Sequence, residues 1–313
     1  EAAPSVLRLR TVVTDIRWRP GHVEVVTRSS PDGNDREQAP DQTALAQELF
    51  TEQVFTAPRV IVTLPLGVLQ APPGAPGAVR FTPPLPEKAA ALRGLVMGPV
   101  VKIVLRFREP FWERAFPERP FPERPFPERA DPPPGPGRQD PSAREGSGVV
   151  TDDRSRLGFL SARGQAFPSW WAPRAAGPAG ASPATGAPSA AAVAHLLTGW
   201  AGGPVAERLA ALPPEGVLDR ALDTLGRISG IGSGGVTARL EGAYFHDWQG
   251  DPFSRGAYSY VAVDGLAAQR GLACPVVATL FFAGEATDDQ GHFATVHGAI
   301  ASGRRAAREV IES

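Results

Sequence analysis

Cysteine and methionine are almost absent from this chain: Cys274 and Met97 are the single examples. One cysteine excludes an internal disulfide framework and any zinc site built on several thiolates. Lysine is scarce too, Lys88 and Lys102 standing against 30 arginines. No apolar run approaches the ~20 residues that a membrane-spanning helix needs. Nor does a charged-then-apolar leader open the sequence, so the expected compartment is the cytoplasm. Net charge is lacking as well: 32 basic residues against 33 acidic ones leave −1. Without a strong field, neither nucleic acid nor an anionic membrane is an expected partner. The 313 residues suffice for one large domain or two modest ones. With Glu1 first and no initiator methionine, the chain is expected to be a piece of a longer product.

What is abundant is glycine and proline, 34 of each. The excess is local, falling at 71–76, 110–141 and 168–188. Residues 116–130 spell FPERP, FPERP, FPERA. A five-residue period is too short for a solenoid unit, and its prolines exclude helix and interior strand. Residues 113–147 are therefore expected as an extended loop, with a proline-rich partner tract as the lesser alternative. Residues 173–190 read as a second low-complexity loop.

Between these stretches the pattern is ordered. Residues 7–18 and 22–27, separated by Pro20-Gly21, predict a hairpin. Polar residues to about 53 predict a loop. The apolar run 59–64 predicts a strand buried on both faces. Proline-rich 83–86 leads into a predicted helix over 87–95. Over 100–107, Val101, Ile103, Leu105 and Phe107 alternate with Lys102, Val104 and Arg106. A strand at 191–200 and helices at 204–211 and 215–227 follow. The end of the chain predicts a strand over 276–283, a Gly-Glu loop and a helix over 294–312. In that helix Val296, Ile300, Gly303, Ala307 and Val310 would form the inner face, with Arg304, Arg305 and Arg308 outside.

Few motifs carry chemistry. Gly230, Gly232 and Gly235 formally spell GxGxxG, but a helix precedes them and a strand (236–240) is expected after them. That is the inverse of the order a dinucleotide fingerprint requires. His292 and His297 have no carboxylate or thiolate at ligand spacing, so no metal is expected. Lys102 is either an edge-strand lysine reaching water or a partly buried amine near a reacting centre. All three tyrosines, Tyr244, Tyr258 and Tyr260, cluster with Phe245, Trp248 and Phe253. They form either core packing or an aromatic wall for a planar ligand or an amine. Finally LFFAGEAT at 280–287 delivers Gly284-Glu285 to a loop, and ATVHGAIASG at 294–303 opens a helix. A helix N-terminus suits a phosphate or an anionic ring.

Taken in order, five segments resemble the flavin-containing amine oxidases, meaning monoamine oxidases, polyamine oxidases and flavin-dependent lysine-specific histone demethylases. They are the opening hairpin; VIVTLPLGVL at 60–69 with PPLPEK at 83–88; MGPVVKIVLRFREPFW at 97–112; LTGWAGGPVAERL at 197–209; and WQGDPFSRGAYSYV at 248–261 with the terminal motif. The likeness covers most of the chain outside the proline-rich loops. It implies an α/β plus α+β fold: part of a Rossmann-like FAD-binding domain at 1–66 and 268–313, interleaved with a mixed-sheet substrate domain at 67–267. The family's own GxGxxG unit and ribose-binding acid would lie upstream of this chain.

Carried over by motif, Lys102 would hold a water near flavin N5, and Val13 would contact adenine through its backbone. Thr63, Leu64 and Pro65 would pass close to the flavin, with Trp248 and Tyr258 as a wall and Phe253 where some relatives have tryptophan. Glu285, beside Gly284, would lie near the ribityl-pyrophosphate region. The Val296 N–H would meet the pyrimidine edge, with Ala294, Thr295 and Ala299 around it. Lys102, Tyr258 and Thr295 form the implied catalytic set. Thr295 replaces the second cage tyrosine of many relatives, which favours a roomier site. The resemblance implies FAD, O2 and a polyamine or secondary amine, oxidised to an imine and then an aldehyde with H2O2 release. The alternatives are a remnant or interaction module without FAD and a histone-demethylase-like oxidase. Oligomeric state is not legible in the sequence.

Overall fold

The computed structural model describes residues 6–29, 51–115, 159–172, 195–265 and 267–313. The FPERP repeats and the 173–190 stretch fall outside them. Strands β1 (Thr11–Arg19) and β2 (His22–Ser29) form the expected hairpin, with a bulge between Val13 and Asp15. β3 (Thr51–Ala57) adds antiparallel to β2, where a loop was expected up to 53. Most of its side chains are exposed, so it lacks the apolar alternation that reveals a strand. β4 (Val60–Val62) and the single-turn helix α1 (Leu66–Leu69) follow. β4 is shorter than predicted and leaves Ile61 exposed on one face. β5 (Arg80–Thr82) runs parallel to β1 and completes a four-stranded sheet in the order β3-β2-β1-β5. Helix α2 (Pro86–Arg93) starts on proline, whose fixed φ and missing N–H suit a first turn. β6 (Leu95–Gly98) comes next.

β7 (Val100–Phe107) keeps the predicted alternation, with Val101, Ile103, Leu105 and Phe107 buried. Helix α3 (Trp112–Ala115) occupies the start of the expected 113–147 loop. Strands β8 (Leu160–Ser161), β9 (Ser169–Trp171) and β10 (His195–Gly202) lead to helices α4 (Pro204–Ala210) and α5 (Pro214–Ser229). The formal GxGxxG forms the short helix α6 (Gly232–Thr237), and the strand expected at 236–240 begins only at β11 (Leu240–Phe245). β7 lies between β11 and β10 in a five-stranded sheet ordered β11-β7-β10-β9-β8. Phe107, Phe111 and Trp112 meet edge to face at 5.1–5.7 Å.

The closing elements are β12 (Tyr258–Val261), α7 (Ala268–Ala273), β13 (Leu280–Phe282), a 3-10 turn (Glu285–Thr287) and α8 (Val296–Glu312). β13 is shorter than the predicted 276–283, because Val277 and Ala278 take positive φ and break the extended run. The inner face of α8 also differs from expectation. Gly298, Ser302 and Ala306 are buried, whereas Val296 is 74% and Ile300 51% exposed. Arg305 turns inward, donating to the carbonyls of Phe282 (2.7 Å) and Ala273 (3.3 Å) while pairing with Glu309 at 2.9 Å. Of the expected face only Val310 packs on the core and Gly303 is half-buried; the rest is displaced because the strand ahead of α8 offers carbonyls to be satisfied there.

The chain divides into two compact units, one of 1–101, 202–211 and 246–313, the other of 102–201 and 212–245. Residues 67–101 and 246–267, expected with the substrate domain, pack in the first unit. β6 pairs antiparallel with β12, and Leu95 and Ala91 share a core with Ala268 and Leu272. A second core joins Ile16 and Val23 of the hairpin to Val62, Leu280 and Phe282. Each such side chain contributes about 1.5–3 kcal/mol on burial. The architecture is mixed α/β with several sheets.

Candidate functional site

The first unit brings most of the candidate residues together. β4 and β13 pair in parallel, Val60 with Leu280 and Val62 with Phe282, and the Ala283 N–H donates to the Val62 carbonyl at 3.0 Å. Both strands therefore end at the same edge. Thr63, Leu64 and Pro65 leave the carboxyl end of β4, and Gly284 leaves that of β13. In open α/β sheets ligands bind outside this edge. Gly284 takes φ +124°, and the space a side chain would fill there holds no atom within 4 Å. Its N–H donates to Ser302 Oγ at 3.0 Å, and its carbonyl lies 2.9 Å from the same hydroxyl. The backbone is thus fixed and open on one side.

Glu285 sits between three donors. Its carboxylate accepts from the Ser259 N–H (3.1 Å), the Ser259 hydroxyl (2.7 Å) and the Ala294 N–H (2.9 Å). Ala294 takes φ +59°, and Thr295 caps α8 by accepting from the Gly298 N–H at 3.1 Å. The first-turn N–H groups, at Val296 and His297, are those a helix leaves without intrahelical partners. Ala299 lies one turn further, half-buried, its N–H bonded to the Thr295 carbonyl. A Cβ at Gly298 would come within 2.2 Å of the His292 carbonyl, so the loop and helix touch through backbone.

The aromatic residues join this edge through the 246–256 loop. A Cβ at Gly67, in α1, would lie 2.7 Å from Arg255, so the loop rests on the helix that follows Pro65. Within the loop Trp248 and Phe253 are exposed, and the Trp248 ring meets His246 at 4.4 Å. His246 in turn bonds Asp251 at 2.9 Å. Tyr258 and Tyr260 share one face of β12; Ser259, fully buried, lies on the other. Trp248, Phe253 and Tyr260 are exposed rather than packed in a core, and Tyr258 is half-buried.

Other candidates belong to other elements. Val13 sits on β1 at the bulge, packed against the hairpin core. Lys102 and Tyr244 belong to the second unit. Lys102 is exposed on β7, an interior strand rather than an edge. The other lysine is the buried one. Lys88 Nζ donates to the carbonyls of Gly271 and Leu272 at 3.0 Å each and to that of Cys274, 4.4 Å over the Phe282 ring. Desolvation by burial lowers its pKa to about 8. Ser259 and Ser302 were missed by sequence reasoning. The alternation of 258–261 would have placed Ser259 opposite two tyrosines. Nothing local marked Ser302. Among the described residues no cluster of His, Cys, Asp and Glu could hold a metal, and no helix is long and apolar enough to cross a membrane.

The family described as Flavin containing amine oxidoreductase matches residues 1–311. The chain belongs to that family. The Aspergillus fumigatus Histone demethylase-like protein A is 31% identical over 265 residues, 83% of this chain and 20% of that protein. The Homo sapiens Peroxisomal N(1)-acetyl-spermine/spermidine oxidase is 31% identical over 272 residues, 82% of this chain and 43% of that protein. A solved putrescine oxidase bound to putrescine superposes with a TM-score of 0.58 at 17% identity, over 97% of this chain and 49% of its own. Cyclohexylamine oxidase from Brevibacterium oxydans gives 0.57 at 17%, over 96% and 48%. At such identity the superpositions speak for fold alone. The chain spans less than half the length of these relatives.

Proposed function

We propose that the protein carrying this chain is an FAD-dependent oxidase of polyamines or related secondary amines. One observation carries the reading: Gly284, open on its free side, lies where a parallel strand pair ends, at the entry to α8. A flat anionic group can approach that backbone without meeting a side chain. A bound flavin would supply two-electron oxidation of an amine's α C–H to an imine, with O2 as electron acceptor and H2O2 as its product; the imine would hydrolyse to an aldehyde and a smaller amine.

The chain's residues supply orientation, desolvation and charge. Tyr258, Tyr260, Trp248 and Phe253 offer flat faces that exclude water and favour a cationic chain alongside. Thr63, Leu64 and Pro65 would border the ring, and the Val296 N–H would stabilise negative charge on its pyrimidine edge. Lys102 is proposed to hold a water for the oxygen step. The human relative's name supports the polyamine class. A histone-demethylase-like reading has one observation of its own, Thr295 as the α8 cap where a ring would narrow the site.

The test is the complete protein, purified and assayed for H2O2 with N-acetylated polyamines, diamines, and a methylated-lysine peptide in parallel. Turnover of a polyamine with stoichiometric flavin supports the proposal. Turnover of the peptide alone transfers it to the second reading. Purification without flavin from cells supplied with riboflavin overturns both.

A further inference from the structure

The Glu285 carboxylate is an acceptor with its own protein donors. Ser259 gives it both a main-chain and a side-chain proton, and Ala294 gives it a main-chain proton. Three of about four acceptor positions on the carboxylate are thereby used. These donors lie 26 residues before and nine after Glu285, so one carboxylate ties together segments that are distant along the chain. Most of the carboxylate's accepting capacity is thus engaged by the protein, with about one position left open.

Its two attachment points are informative. Ser259 lies between Tyr258 and Tyr260, and side chains alternate along a strand. Holding Ser259 by both its N–H and its hydroxyl fixes the rotation of β12 and therefore the direction of both rings. Glu285 closes the outer edge of β12, whose other edge pairs with β6. Ala294 holds φ +59°, a region costly for a residue with a Cβ, immediately before the Thr295 cap. Its N–H is pinned by the same carboxylate.

We infer that Glu285 is a positioning residue: it locks the tyrosine face of β12 to the entry of α8, so that rings and helix N–H groups address one bound flavin in fixed register. The flavin half of this statement rests on the proposed function; the lock itself does not. Glu285 exerts this effect through Ser259 and Ala294.

The experiment uses the complete protein, comparing wild type, Ser259→Ala and Glu285→Gln by amide hydrogen exchange and by the visible spectrum and fluorescence of bound flavin. Glutamine matches the shape but must turn its NH2 toward at least one donor. Charge-assisted hydrogen bonds of this kind protect by roughly 10- to 100-fold. The expected result is that much faster exchange at the Ser259 and Ala294 amides in Glu285→Gln, with a smaller rise in Ser259→Ala. The same two variants shift the flavin band and brighten its fluorescence in that order. Unchanged exchange at both amides overturns the lock. Faster exchange with an unchanged flavin spectrum overturns the positioning role and leaves a structural brace. A wild type that binds no flavin overturns the functional reading instead, and the exchange rates alone then decide the lock. Should Glu285→Gln fail to fold, the milder Ser259→Ala carries the same readouts.

Discussion

Ser302 and Gly284 hold one another through both main-chain groups of the glycine, at 3.0 and 2.9 Å, with the serine buried inside α8. The hydroxyl is the device that keeps the end of β13 open yet rigid. Replacing it with alanine leaves the half-buried Gly284 N–H without its partner, while the carbonyl keeps the N–H and hydroxyl of Thr287. Ser302→Ala should lower unfolding stability by about 0.5–1.5 kcal/mol. The check is the urea midpoint of the complete protein, and an unmoved midpoint would show that water replaces the hydroxyl without cost.

Lys88 gives a pH signature. Burial holds its amine near 8 against 10.5 in the open chain, with Arg305 a smaller push in the same direction and Cys274, Glu87 and Glu309 opposing it. Below pH 8 both states are protonated, and the folded state carries the full desolvation cost. Between about 8 and 10.5 the unfolded chain keeps a proton that the folded one releases, so stability rises with pH. Lys88→Met should remove this rise, worth roughly 3 kcal/mol across the window. Unfolding of wild type and variant at several pH values measures it as a difference, which cancels the other titrating groups. A constant difference across the window would refute it.

Gly298 tests the contact between loop and helix. An added Cβ would meet the His292 carbonyl at 2.2 Å, and backbone cannot swing away as a side chain can. Gly298→Ala gains helix propensity of about 1 kcal/mol in an unobstructed helix, yet here should destabilise by about 1–3 kcal/mol. Gly303→Ala, where nothing lies within 4 Å, should show the propensity gain instead. Thermal unfolding of the two variants side by side separates sterics from propensity.

Lys102→Met addresses the oxygen step. With the amine gone, reoxidation of reduced flavin by O2 should slow by about 10- to 100-fold, while anaerobic reduction by substrate changes little. Stopped-flow traces of the two half-reactions distinguish these, and unaltered reoxidation would remove Lys102 from the set.

The residues differ in how legible they were. The hairpin, β7 and α5 could be read directly, because Pro20-Gly21, the alternation at 101–107 and the helical stretch at 215–227 are local signals. β3 and α7 could not. β3 is exposed on nearly all its length, and α7 is a six-residue helix whose last carbonyls are satisfied by Lys88, far away in the chain. The candidate site was legible where motif carried it, at 280–287 and 294–303. The partners of those residues were not, since Ser259 and Ser302 look like any other serines until the chain has folded.

By itself the sequence determined the family, the elements with strong local signals and the residue types of the candidate motifs, because periodicity and motif spacing are properties of neighbours along the chain. Only the tertiary structure decided which face of α8 turns inward, that Arg305 serves the Phe282 carbonyl, and that the Glu285 oxygens belong to Ser259 and Ala294. Those outcomes follow from buried donors and acceptors having to find partners. Which partners are in reach depends on where distant segments lie, and hydrophobic pattern carries no record of that.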